Sequence, residues 1–237
     1  MFDLFCYLLF FIFAFFCIKR QKKIEIKLKI DEQQRAIKEN ERLFYEKHKH
    51  CEQSEIDLIL ILKEIGFEEK QIFYNLYIPV GQNYQQIDVC VVCKIGIIVF
   101  EVKDFAGWIF GGVDEKYWYH TYKNQEKYKL YNPIKQNSTH IACMKKYFKD
   151  LPLINVVIFF GNCELKNTRF FSSKCCVIYA SQLNDCINYL YYHNEQNNNK
   201  IKTEYLDLLN KFMENGNNED IRKQHTDNVL KIKMMNV

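Results

Sequence analysis

Residues that break secondary structure are scarce in this chain, with 3 prolines and 8 glycines among 237 residues. That scarcity excludes collagen-like, linker-rich and low-complexity classes, whose composition buries too little apolar surface to offset the entropy of ordering. A large excess of charge is missing too; a net charge of +4 permits a polyanionic partner without requiring one. No glycine-rich phosphate loop and no Ser-His-Asp arrangement is apparent, so nucleotide-loop and acyl-transfer chemistry have no signal here. What the chain does have is aromatic mass, 16% Phe, Trp and Tyr. Its length suits one ordinary domain with appendages.

Ten cysteines suggest a disulfide framework until their context is read. Most lie inside apolar runs, where a free thiol behaves as a small buried hydrophobe. Cys90 and Cys93 have CxxC spacing, but on a strand, positions three apart face opposite ways, and a zinc site wants a second ligand pair. The expectation is thiols in a reducing compartment.

From Leu4 to Ile18 no residue is charged, and most are Phe, Leu or Ile. Such a run is ~22 Å long as a helix, short of the ~30 Å hydrocarbon core, with Phe2 and snorkelling side chains closing part of the gap. A cleaved signal peptide is the rival, but it wants basic residues before the run and small ones after. Here Asp3 precedes and Lys19-Arg20-Gln21-Lys22-Lys23 follows. Residues 2–18 therefore read as an uncleaved transmembrane anchor. The basic cluster puts the N-terminus outside and the remainder in the cytoplasm.

Residues 19–50 read as a charged stalk, alternating with period two over Ile24–Ile30 and turning helical from Asp31. The body, 51–192, opens with an apolar helix around Ile56–Leu62. Strands are predicted at Ile72–Val80, Ile87–Cys93, Gly96–Lys103, Trp108–Phe110, Tyr117–Tyr122, Leu153–Phe160 and Cys175–Ala180. Asn132 caps a helix begun by Pro133 and running to about Lys149, and Ser181 caps another through Tyr192. Residues 193–237 form an Asn-rich linker, a short helix near Thr203–Glu214 and a polar tail. The pattern is mixed α/β around one central sheet.

One acidic residue sits where none is favoured: Asp88, inside a strand. The strand Gly96–Phe100 then delivers Glu101-Val102-Lys103, and period two puts Glu101 and Lys103 on one face. A hairpin across 94–96 makes Asp88 and Glu101 cross-strand neighbours. Two carboxylates beside an ammonium suit phosphodiester hydrolysis, because Mg²⁺ takes one or two protein carboxylates and keeps several waters. Lysine there can orient or deprotonate water and offset transition-state charge. The plainer alternative is a salt bridge between Asp88 and Lys103 at a strand end.

Gln86-Ile-Asp88, then Gly96-Ile-Ile-Val-Phe-Glu101-Val-Lys103-Asp-Phe-Ala-Gly107, then Asn132-Pro133-Ile-Lys-Gln136 together resemble the nuclease-related (NERD) domain, over about residues 50–165. The resemblance implies the PD-(D/E)xK restriction-endonuclease-like fold, a central mixed sheet flanked by helices, here behind the N-terminal transmembrane helix. It implies Mg²⁺ (or Mn²⁺) held by Asp88 and Glu101, with Lys103 serving the nucleophile and Gln136 facing the same site. The family's helix acid, which the resemblance implies helps hold the metal and which usually stands in a Gly-Glu pair, would be Glu55, with Glu52 the alternative because the Gly is absent.

Lys116, Lys123, Lys127, Lys129 and Lys135 alternate with Tyr117, Trp118, Tyr119, Tyr122, Tyr128 and Tyr131. Basic groups among aromatics suit phosphate contact and base stacking, although the rings equally suit a core and the lysines a solvated face. The expected function is membrane-anchored, Mg²⁺-dependent hydrolysis of DNA or RNA. The alternative is a module that binds nucleic acid or protein at the membrane without turnover.

Overall fold

The computed structural model describes residues 2–122, 126–168, 170–194 and 201–235; the side chains of 2–18, 24, 232, 233 and 235 lie outside the described residues. Two compact units divide the chain, Met1–Lys49 and His50–Val237.

The first unit is one helix, α1 (Phe2–Lys47). The stalk's period-two stretch, Ile24–Ile30, is therefore helical. Alternation alone cannot make a strand without a partner strand to pair with, and no Pro or Gly interrupts the run. Ion pairs at helical spacing, Lys29–Glu25 (3.0 Å) and Arg42–Glu39 (2.8 Å), accompany it, each worth ~0.3–0.5 kcal/mol. Among the described residues, no helix is long and apolar enough to cross a membrane. The side chains on which the anchor expectation rests are outside them.

The second unit is α/β. Its order is α2 (Gln53–Glu64), β1 (Ile72–Val80), β2 (Asn83–Cys93), β3 (Gly96–Asp104), β4 (Gly107–Phe110), β5 (Tyr117–Thr121) and β6 (Tyr128–Tyr131). Then come α3 (Pro133–Met144), β7 (Leu153–Phe160), β8 (Cys163–Lys166), β9 (Phe170–Phe171), β10 (Cys175–Tyr179), α4 (Leu183–His193), α5 (Thr203–Asn215) and α6 (Glu219–Met235). A mixed six-stranded sheet runs β1-β2-β3-β7-β10-β9, antiparallel from β1 to β3 and parallel across β3-β7-β10. Gly96, at φ +128°, makes the β2–β3 turn possible, and any Cβ there would strike the Pro152 carbonyl.

The single-sheet expectation needs correcting: β6-β5-β4-β8 form a second, four-stranded sheet. β4 and β8 pair in parallel, so strands far apart in sequence close it, and no local signal announces β8. Its inner face, with Ile109, Trp118 and Leu165, packs with Val157, Phe159 and Val177 of the large sheet and Ile134 of α3. A further core cluster joins Leu76, Ile78, Cys90, Val92, Ile97 and Val99 to Met144 and Phe148, and to Tyr205, Leu209 and Phe212 of α5.

Three helix bounds also differ. α3 stops at Met144 rather than near Lys149, because Phe148 and Leu151 turn into the core. Gln182, after a short 3₁₀ turn, precedes α4 in place of Ser181 as its cap. The polar tail is a helix, α6, packed on β2, where Gln224 donates to the Gln82 carbonyl at 2.5 Å. The Asn-rich linker, apart from His193 and Asn194, falls outside the described residues.

Candidate active site

In the β2–β3 register Val89 pairs with Phe100, so the next step along both strands brings Asp88 opposite Glu101. Asp88 does not simply face its neighbour. Its Oδ2 accepts the Val102 N–H at 2.9 Å, so the carboxylate takes up a backbone donor of the adjoining strand. On β1, Asn75 lies between Tyr74, paired with Val89, and Leu76, paired with Ile87, and therefore sits across from Asp88. Asn75 has φ +49°, a left-handed conformation in mid-strand that Asn tolerates better than most residues. Gly216 makes room for the distorted strand, since a Cβ there would strike the Asn75 carbonyl.

This distortion yields a stability prediction. Asn75→Ala is expected to cost ~1–2 kcal/mol in urea denaturation, the ordinary penalty for an L-residue held at positive φ. Asn75→Gly is expected to be the more stable of the two, although both lose the bond from Gln86 Nε2 to Asn75 Oδ1 (3.3 Å). Equal stability of the Ala and Gly variants would show that no strain is held there.

Glu101 and Lys103 share a face of β3, as period two requires. Glu101 is 1% exposed and both of its oxygens are engaged: Lys103 Nζ donates to Oε1 at 2.5 Å and His140 Nε2 to Oε2 at 3.1 Å. A carboxylate only accepts, so His140 carries a proton on Nε2. Its Nδ1 is buried without a hydrogen-bond partner among the described residues. α3 is fixed over this face at its start and again near its middle. Asn132 caps it, accepting from the Ile134 N–H and donating to the carbonyls of Gly112, Val113 and Glu115. Further along, Asn137 Nδ2 donates to the Val99 carbonyl and to Asn155 Oδ1, both at 2.8 Å.

Burial and charge then divide the carboxylates. Burial, with the Glu101 charge adding to it, pushes Asp88 up to about 7, against the opposing pull of Lys103, the Val102 N–H and His140. Glu55, on α2, is pushed up to about 8 by burial and by the charge of Asp88. Burial would raise Glu101 as well, but the His140 hydrogen bond and the Lys103 charge outweigh it and hold this group below its ordinary value. Lys103 loses hydration, yet Glu101 and Asp88 raise it above the usual lysine range. Two acids raised and one held low mark a site short of positive charge.

Of the residues expected here, Asp88, Glu101 and Lys103 come together at one end of the β2–β3 hairpin, and Glu55 lies near enough to Asp88 for their charges to interact. Glu52, exposed before α2, adds negative charge felt at Lys103, so both candidate helix acids face this end. Gln136 sits one helical turn before His140 on the same side of α3, half-buried. Lys135, adjacent, is half-buried, whereas Lys116 and Lys127 lie exposed beside the second sheet, and Lys123 falls outside the described residues. His140 is the site residue that sequence reasoning missed; the usable signal was its i+4 spacing from Gln136. Among the described residues, no three His, Cys, Asp or Glu side chains converge into a ready-made metal cage.

Comparison with known proteins fits this geometry. Residues 52–160 match the nuclease-related domain family. An uncharacterized protein of Bacillus anthracis is 30% identical over 141 residues, covering 59% of this chain and 64% of that relative, so the match spans less than two thirds of the relative's length. No solved structure matches.

Proposed function

We propose that this chain, whose residues 52–160 match the nuclease-related domain family of the restriction-endonuclease-like superfamily, hydrolyses phosphodiester bonds of nucleic acid at Asp88, Glu101 and Lys103, using Mg²⁺ or Mn²⁺. The observation that carries the proposal is the meeting of those three groups on adjacent strands, with Lys103 bonded to a buried Glu101. The donor set fits a hard divalent cation: Asp88 and Glu101 offer oxygen, and the raised Asp88 and Glu55 would be relieved by added positive charge. When bound, the cation supplies polarisation of the phosphate and a bound water of lowered pKa.

The chain's own groups supply the rest. His140 fixes the orientation of Glu101 through Oε2, leaving Lys103 to hold or move a proton at Nζ. Lys103 also offsets negative charge gathering on the scissile phosphate. Gln136, one helical turn before His140, would position a water or a phosphate oxygen, and Glu55 would help Asp88 and Glu101 hold the cation. The uncharged run Leu4–Ile18 and the basic cluster after it support an anchor, with the domain on the cytoplasmic side.

A second reading, a module that holds nucleic acid without turnover, draws on the fact that both oxygens of Glu101 are already taken by protein donors. One experiment separates the two: cleavage of plasmid, single-stranded DNA and RNA by the full chain with Mg²⁺ or Mn²⁺, beside Glu101→Ala. Metal-dependent cleavage lost in the variant is the expected result. No cleavage, with nucleic acid still retained, would put the binding module first.

A further inference from the structure

The outer face of the second sheet has no part in the chemistry above, yet it is built with unusual side chains for a solvated surface. In an antiparallel or parallel ladder, paired residues point the same way. Phe110 pairs with Tyr119 and Tyr117 with Tyr131, while Trp108 pairs with Thr121. Trp108, Phe110, Tyr117, Tyr119 and Tyr131 therefore share one face, opposite the buried Ile109, Trp118 and Leu165. None of the five is fully buried, and Tyr119 and Tyr131 are 41% and 42% exposed.

Cations accompany these rings. Lys129 Nζ lies 3.8 Å from the centre of the Tyr117 ring, with Lys116 over the same ring at 5.2 Å. Lys127 stands over Phe110 and Lys166 over Trp108, each at 5.5 Å. On the strands of this face the acid is Glu164, already bonded to Lys166; Asp114, Glu115 and Glu126 sit in the connecting loops. A protein partner seated on five rings would have to strip water from four ammonium groups. Nucleic acid would not: its phosphates replace that water and its bases stack on the rings. Stacking requires an unpaired base with a free face, which a duplex does not offer except at its ends.

We propose that this outer face is a stacking platform for single-stranded nucleic acid, with Tyr119 and Tyr131 receiving bases and Lys129, Lys116 and Lys127 meeting the backbone. The proposal rests on nucleic acid being the partner of the chain and is independent of whether the chain cleaves it. β4 follows β3 after two residues, so the platform's first strand begins four residues after Lys103.

The test is binding of a fluorescently labelled 20-nucleotide dT strand, and of a duplex of equal length, to the full chain in EDTA. Wild type is expected to prefer the single strand. Tyr119→Ala combined with Tyr131→Ala is expected to weaken single-strand binding by roughly 30-fold or more, the loss of two stacked bases, with duplex binding unmoved. Tyr119→Phe with Tyr131→Phe keeps both rings and is expected to bind as wild type. Single-strand binding that is absent in wild type, or unchanged in the alanine pair, would overturn the platform. Because EDTA removes the metal, such a failure leaves metal-dependent cleavage standing or falling on its own assay. Conversely, platform binding in a chain that never cleaves would retain this inference and remove the nuclease.

Discussion

Lys103→Ala is expected to lower metal-dependent cleavage on the order of 10²- to 10⁴-fold, the range for losing a positioned proton-transfer or charge-stabilising group. The side chain is 17% exposed and its ammonium is shared between the buried Glu101 and the charge of Asp88. Orphaning a buried charge outright costs ~3–5 kcal/mol. Here the loss should be smaller, because His140 still donates to the other oxygen of Glu101. Lys103→Arg separates the two roles. It keeps a cation beside Glu101 and should recover the melting temperature, but a guanidinium does not give up its proton and should recover little rate. Steady-state cleavage and thermal melts on the same preparations decide the matter. Wild-type rates from Lys103→Ala would remove the lysine from the mechanism.

Stability should fall as pH rises from about 5 to 8 in the absence of divalent ions, and Mg²⁺ should reverse that fall. The sign follows from Asp88 and Glu55. Both carboxyls are raised by folding, from 3.8 to about 7 and from 4.5 to about 8. Below pH ~4 they are protonated in both states and contribute nothing. Between those limits the unfolded chain releases protons that the folded chain retains, so rising pH favours unfolding until the folded groups ionise as well. Glu101 acts the opposite way, stabilising the fold above its ordinary range and losing that contribution only in acid. A divalent ion prefers the ionised carboxylates and displaces their protons, so its effect should be small at pH 5 and large at pH 8. At 100 times its dissociation constant, a ligand adds ~2.7 kcal/mol, which for a domain of this size is roughly 5–10 °C. Asp88→Asn should flatten both the pH slope and the Mg²⁺ response. A melting temperature indifferent to Mg²⁺ at pH 8 would count against a metal at this site.

The strands of the candidate site, β2 and β3, were legible because their chemistry contradicts their surroundings. Asp88, Glu101 and Lys103 are polar residues in apolar strands, and the turn ending at Gly96 fixes which of them meet. Asn132 and Pro133 announced α3 by cap chemistry that is local to the chain. His140 carried no such contradiction, since a histidine on a helix gains meaning only from the carboxylate thirty-nine residues earlier that it reaches. The second sheet was hidden for a similar reason: β8 joins β4 across more than fifty residues, and its Cys-Glu-Leu-Lys sequence has no strand pattern strong enough to stand alone. α6 lacks an apolar stripe, but it also lacks any breaker between Glu219 and Met235, and that second fact was the better guide. Likewise, the period-two run Ile24–Ile30 lies inside helix α1, because alternation by itself supplies no partner strand.

The bond from Val102 to Asp88 has a bearing on metal choice. With one lone pair of Oδ2 taken by the neighbouring strand, Asp88 presents Oδ1 as its less engaged oxygen, which would favour single-point attachment over a two-oxygen grip. Large, pliant cations such as Ca²⁺ favour bidentate carboxylates and many ligands, whereas Mg²⁺ accepts single-point attachment and retains its own water shell. The preference of this aspartate for a one-point contact would thus be set when β2 and β3 pair, before any ion arrives.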